Sequence, residues 1–209
     1  MKKLLLAILA AGSFATASAQ SKVTYGISGG VNFAKVGISA TGSSLSISTS
    51  SLTTFSVGAF ADIPVGSKNL SVQPGLYYTG KGFQLSEAGT SIKSKPFYLQ
   101  VPVSLVYNVP FSEGKVFFGA GPYAAIGLNG KLEGTDGNAK ESEDIKFGDN
   151  PATDFYKRTD FGATGMAGIG LTNGLLFKVN YDLGLSNVSP ESDAKIKHRV
   201  VGLSVGYSF

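Results

Sequence analysis

From Arg199 to Phe209 the chain alternates without a break. Arg199, Val201, Leu203, Val205, Tyr207 and Phe209 fall on one side, Val200, Gly202, Ser204, Gly206 and Ser208 on the other. Residues 175–186 repeat the pattern, with Leu175, Phe177, Val179, Tyr181, Leu183 and Leu185 opposite Leu176, Lys178, Asn180, Asp182, Gly184 and Ser186. A period of two puts successive side chains on opposite faces of a strand. Six further segments follow it, over residues 23–35, 53–63, 69–83, 96–108, 115–128 and 158–172. Ordinary strands run to about 5–6 residues, whereas a tilted membrane-crossing strand needs about 9–11. These segments are of the second kind.

The connections alternate in length. Residues 36–52, 84–95, 129–157 and 187–194 form the longer ones, and residues 64–68, 109–114 and the Asn173-Gly174 pair form short turns. Long loops on one rim and tight turns on the other are the signature of a barrel in an outer membrane. The expectation is an all-β fold, an eight-stranded antiparallel up-and-down transmembrane barrel with both termini on the short-turn rim. Its lipid-facing aromatic residues form two groups. Tyr25, Tyr107, Phe118, Phe177, Tyr207 and Phe209 lie near the periplasmic ends of their strands. Phe33, Phe55, Tyr78, Phe97, Phe161 and Tyr181 lie near the opposite ends. Amphipathic rings favour the two membrane interfaces, which accounts for both belts. Pro74, Pro102 and Pro122 fall inside proposed strands, where a missing N–H calls for local bulges or for strands that end sooner.

The first 19 residues stand apart. Lys2 and Lys3, the apolar run Leu4 to Ala11 and the small-residue site Ala17-Ser18-Ala19 have the order of a secretory signal peptide, with cleavage after Ala19. The remaining residues, 20–209, form one domain. Losing Lys2 and Lys3 lowers the formal charge from +4 to +2, and no basic stripe suited to nucleic acid is left. The chain has no cysteine, which excludes disulfides, thiol chemistry and lipid attachment at a cysteine.

Several runs stand out: Gly75-Leu76-Tyr77-Tyr78-Thr79-Gly80-Lys81-Gly82, Tyr98-Leu99-Gln100-Val101-Pro102-Val103 and Gly119-Ala120-Gly121-Pro122-Tyr123, followed by Asp160-Phe161-Gly162, residues 181–187 and the ending Gly206-Tyr207-Ser208-Phe209. Together they resemble the PorT-like outer-membrane β-barrel family of Bacteroidota. The resemblance spans nearly all of residues 20–209. It implies an outer-membrane location, in-strand prolines as a family habit, and a terminal Phe209 of the kind that the barrel-assembly machinery recognises. It implies no activity: most members have none assigned, and a few serve secretion machinery.

Parity assigns Asn32, Asp62, Gln73, Tyr77, Lys81, Gln100, Tyr123, Asp160, Lys178, Asn180, Asp182 and His198 to the lumen. Eight strands leave an interior that side chains can fill, so a polar plug is expected rather than a pore. Buried charges such as Lys178 and Asp182 then require opposite charges. His198 is the single histidine, so it would be the only base for a serine hydrolase, and no partner serine is evident. The Gly119-x-Gly121-x-x-Ala124 run lacks the following helix that a dinucleotide site needs. The acidic stretch from Glu133 to Asp154 shows no calcium-loop spacing and reads as a solvated loop.

No catalytic, cofactor-binding or metal-binding residues are therefore expected. The function expected is non-enzymatic: a monomer in contact with outer-membrane lipids, serving envelope structure, surface interaction or export. Its partner contacts would lie on loops 36–52 and 129–157. Two alternatives remain open: a lipid-modifying enzyme using His198 or Asp160, and a soluble lipocalin-like barrel with its apolar face turned inward.

Overall fold

The computed structural model describes residues 23–40, 46–66, 69–87, 90–136, 139–191 and 193–209. The signal peptide expected over residues 1–19 lies outside them. The described strands are β1 (Thr24–Ala40), β2 (Ser46–Ser48), β3 (Leu52–Pro64), β4 (Leu70–Gly80), β5 (Phe83–Glu87), β6 (Thr90–Phe111), β7 (Gly114–Asp136), β8 (Ala139–Asp144), β9 (Thr159–Leu171), β10 (Leu175–Gly184) and β11 (Ala194–Ser208).

Eight of them close a ring in the order β1–β3–β4–β6–β7–β9–β10–β11, and β11 returns to β1 from Gly26↔Ser208 to Ala40↔Ala194. Every ring pairing is antiparallel, and the ring has no free edge. The eight-stranded antiparallel barrel expected from the alternation is the fold of the chain.

The alternation is inside out for a protein in water. Ile27, Val31, Phe55, Val57, Leu105, Phe118, Phe177, Leu203 and Val205 are exposed on the outer face, while all twelve lumen residues assigned by parity are buried or half-buried. Burying apolar area is worth about 25 cal/mol per Å², so such a surface persists only in contact with lipid. A soluble barrel for an apolar ligand needs the reverse arrangement. In the outer aromatic belt, Tyr78 and Phe97 stack with centroids 5.0 Å apart, and Phe55 packs 5.2 Å from Phe97.

The strands outrun the spans read from the sequence. Above the ring, β5, β6, β7 and β8 continue as a four-stranded sheet with pairings Phe83↔Ser94, Lys93↔Glu133 and Glu133↔Ser142. A short β2 likewise extends the sheet beside Gly37 to Ser39 of β1. The solvated loop expected between Glu133 and Asp154 is thus partly strand and partly a folded lid. On the other rim the connections are short: residues 65–69, 112–113 and 172–174. The last is a three-residue turn rather than the two-residue Asn173-Gly174 hairpin expected. The Gly174 N–H donates to the Leu171 carbonyl, and a φ of +91° explains the glycine.

The prolines correct a second expectation. No register shift accompanies Pro74, Pro102 or Pro122; the β6–β7 ladder shifts instead between Phe97 and Tyr98. Each proline sits at a gap in the ladder toward the preceding ring strand. Pairing lapses between Phe60↔Gly75 and Ile63↔Val72, between Pro74↔Val103 and Tyr77↔Gln100, and between Pro102↔Tyr123 and Leu105↔Ala120. A missing N–H costs one ladder bond, and here it is lost without displacing the strands.

Candidate functional site

The lumen is built in three tiers. In the upper tier, near the long-loop rim, Lys81 follows β4 directly and reaches across to Asp160 at the start of β9, with Nζ 2.8 Å from Oδ2. Neither side chain has any solvent exposure. His198 of β11 places Nδ1 3.2 Å from the same oxygen, and the Tyr123 hydroxyl donates to it at 3.3 Å. Ser186 donates to the other carboxylate oxygen at 2.9 Å while accepting the Phe161 N–H. Because a carboxylate only accepts, His198 carries its proton on Nδ1. The Lys81 ammonium also lies 4.3 Å from the Tyr123 ring centroid and 5.2 Å from that of Tyr98. A charge taken out of water costs several kcal/mol unless paired and hydrogen-bonded, and here Asp160 has four donors and Lys81 two ring faces. Gly162 makes room for this packing: a Cβ there would lie 2.6 Å from the Tyr123 ring.

A lid covers this tier. Residues 145–158 fold back into the mouth, where Ile145, Phe147 and Tyr156 join Tyr98, Tyr123, Ala125 and Val188 in one buried apolar cluster. Phe147 meets Tyr98 edge-on with centroids 5.6 Å apart. Backbone bonds fasten the lid at several points: Ile145 N–H to Gly130 O at 2.9 Å, Lys157 N–H to Val188 O at 2.8 Å and Gly127 N–H to Arg158 O at 2.7 Å. The Tyr156 and Ser94 hydroxyls lie 2.8 Å apart. Burial pushes the Tyr156 phenol up to about 12, against the opposing pull of the Ser94 hydrogen bond.

In the middle tier Asp182 accepts from Gln100 at 2.9 Å, Thr164 at 2.6 Å and Asn180 at 3.2 Å. Only about 50 Å³ of space remains beside it, room for a water or two. Lys178 places Nζ 3.3 Å from the Tyr77 hydroxyl and 4.9 Å from its ring centroid. The opposite charges expected for Lys178 and Asp182 are therefore not what holds them. Neutral donors satisfy Asp182, and Lys178 forms no salt bridge among the described residues.

The lower tier is open. Lys115 pairs with Asp62 at 3.0 Å, and above them a cavity of about 690 Å³ opens toward the short-turn rim. The filled lumen expected from the strand count is thus filled in its upper two tiers and hollow in its lowest.

Parity placed Lys81, Tyr123, Asp160 and His198 in the lumen, and the fold gathers these four around one carboxylate. Tyr98 and Thr164 were legible by the same rule. The lid residues Ile145, Phe147 and Tyr156 carry no periodic signal. His198 is 1% exposed, with Nε2 buried and unpartnered. Among the described residues, no three metal-ligating side chains converge.

Structural likenesses include Ail, the attachment invasion locus protein of Yersinia pestis (15% identity, TM-score 0.45, covering 90% of this chain and 100% of that one). Neisserial surface protein A is similar at 13% identity and TM-score 0.43, covering 90% of this chain and 100% of its own. The N-terminal β-barrel domain of Pseudomonas aeruginosa OprF matches at 9% identity and TM-score 0.36, with coverage of 86% and 97%. No curated protein matches the chain. The profile of the outer membrane protein beta-barrel domain matches residues 17–189. With its closed ring and lipid-facing apolar surface, the chain belongs to the outer-membrane β-barrel domain family.

Proposed function

We propose that this protein is a non-enzymatic, non-conducting monomer that presents an interaction surface outside the cell, on a barrel used as a rigid mount. The observation that carries this reading is the four-stranded β5–β6–β7–β8 sheet standing above the ring. Its outer strand, Ala139–Asp144, is exposed along all six residues and pairs on one side only. Binding residues favour mobile or projecting segments on a stable scaffold. The lid and the Lys81–Asp160 pair support the absence of conduction, since Tyr98, Phe147 and Tyr156 pack in one buried cluster above a fully buried ion pair.

Within the family, the runs at residues 75–82 and 98–103 favour the PorT-like group, so accessory service to an export machine is the finer version of the same reading. Phe209, 67% exposed on the short-turn rim, is the residue we assign to recognition by the assembly machinery. The test is a photo-cross-linker placed at Ser142 in intact cells, alongside conductance in planar bilayers. A discrete cross-linked protein and a silent bilayer are expected. Steady ion current from the folded wild type would sink the reading.

A further inference from the structure

The open lower tier lies at the opposite end from that surface and is independent of it. Its cavity of about 690 Å³ is the size of a small-molecule site. The walls combine apolar residues (Phe60, Phe117 and Leu176) with three charges, Asp62, Lys115 and Lys178. Asp62 and Lys115 neutralise each other at 3.0 Å. Lys178 lines both this cavity and the small gap above it, so it forms the ceiling. Its ammonium has one hydroxyl and one aromatic face for company, and no carboxylate within 4 Å among the described residues. The cavity therefore has at its closed end an ammonium without an ion pair, with Asp182 across the small gap above it, in surroundings where an ion pair is worth more than in water. Two wall residues add a second feature. Asp62 Oδ1 and Asn108 Oδ1 are buried and make no hydrogen bond within the protein, leaving the wall short of donors.

We propose that this vestibule binds, from the periplasmic side, a carboxylate-terminated aminoacyl group, either free as an N-acyl amino acid or at the end of a peptide chain. The carboxylate pairs with Lys178, the amide N–H supplies the donor that the wall oxygens lack, and an apolar side chain lies among Phe60, Phe117 and Leu176. Each part of the ligand answers one feature of the wall. A plain hydrophobic cavity would recognise only the last of them.

The experiment uses the folded barrel in lipid nanodiscs, with backbone amide NMR shifts as the readout. N-acetyl-leucine is titrated against N-acetyl-leucinamide, which lacks the carboxylate, and 4-methylpentanoate, which lacks the amide. Saturable shifts at Phe117, Lys178 and Ser204 are expected with N-acetyl-leucine. Both analogues should bind about tenfold more weakly, as should the acid on Lys178→Gln, since a charge-assisted hydrogen bond is worth roughly that factor. Lys178→Arg should retain binding, and Lys195→Gln on the far rim should change nothing. An acetylated Ala-Ala-Leu acid separates the sources: its binding assigns a chain end, and its exclusion while N-acetyl-leucine still binds assigns the free compound. Absence of saturable shifts, equal binding of the leucinamide or the pentanoate, or full binding by a folded Lys178→Gln barrel would overturn the proposal.

Discussion

At one end of the lumen Lys81 and Asp160 pair at 2.8 Å with no solvent contact; at the other Lys115 and Asp62 pair at 3.0 Å, with the lysine side chain 38% exposed. The same eight strands line both ends, so ring size does not decide which end is filled. Chain length beyond the ring does. The upper rim has residues 145–158 between β8 and β9, long enough for Phe147 and Tyr156 to fold back over the charges. The lower rim has turns of two to five residues, which cannot reach inward. One barrel thus carries a sealed end and a receptive one, and of these two ion pairs only the one that loop covers has both partners out of water.

The sharpest way to break this contrast is Asp160→Ala. It strands the Lys81 ammonium in a dry, aromatic pocket, and removing one partner of a buried pair costs about 3–5 kcal/mol. Urea unfolding in lipid vesicles, read by gel migration of unheated samples, should show that loss. An unchanged midpoint would mean that water already reaches the pair. Phe147→Ala ranks next, at about 3 kcal/mol for an aromatic ring lost from a packed cluster. The cost should fall on the lid alone, so limited proteolysis should cut within residues 145–158 while the ring stays folded. Gly127→Ala should do the same, because a Cβ there collides with the Phe147 ring.

Tyr156→Phe gives a smaller effect, about 1 kcal/mol for one hydrogen bond to Ser94, and a pH signature. The folded phenol titrates near 12, above the ordinary value of about 10. Its contribution to stability is therefore complete below about pH 10 and disappears as the pH rises toward 12. Phenolate absorbance of the wild type minus the variant should show one late-titrating tyrosine; a transition near 10 would place Tyr156 in water. Asp62→Asn completes the series at about 1 kcal/mol, since Lys115, 38% exposed, keeps contact with water when the pair is broken. A loss as large as that of Asp160→Ala would show that the lower end is as dry as the upper.

What the sequence made legible follows from where period two holds. It gave strand number, antiparallel order and the face of every lumen residue, because a lipid-facing row and a polar row must alternate in each crossing. It failed above the membrane, where Thr90 to Lys95 and Lys131 to Asp136 each carry one large apolar residue, Ile92 and Leu132, too few to mark a face. It also said nothing of partners across the lumen. Parity marks Lys178 and Asp182 as buried charges in need of opposite ones, yet neutral groups that include Tyr77 and Gln100, distant in the chain, hold them. The prolines misled for a different reason. A strand locked on both sides by neighbours loses one bond more cheaply than it shifts register.

The β6–β7 hairpin, the longest ladder of the ring, bears on how the barrel assembles. It runs from Phe111↔Gly114 at its two-residue turn to Thr90↔Asp136 at its tip. Closing so short a loop costs little chain entropy, and each further pair adds almost none. Closing β1 on β11 instead joins Gly26 to Ser208 across nearly the whole chain. Contacts of that separation form slowly. Folding therefore has a natural order: the central hairpin zips first and grows outward through its neighbours, and the seam between the first and last strands shuts last. Until then those two strands offer unpaired edges to whatever inserts the barrel into its membrane.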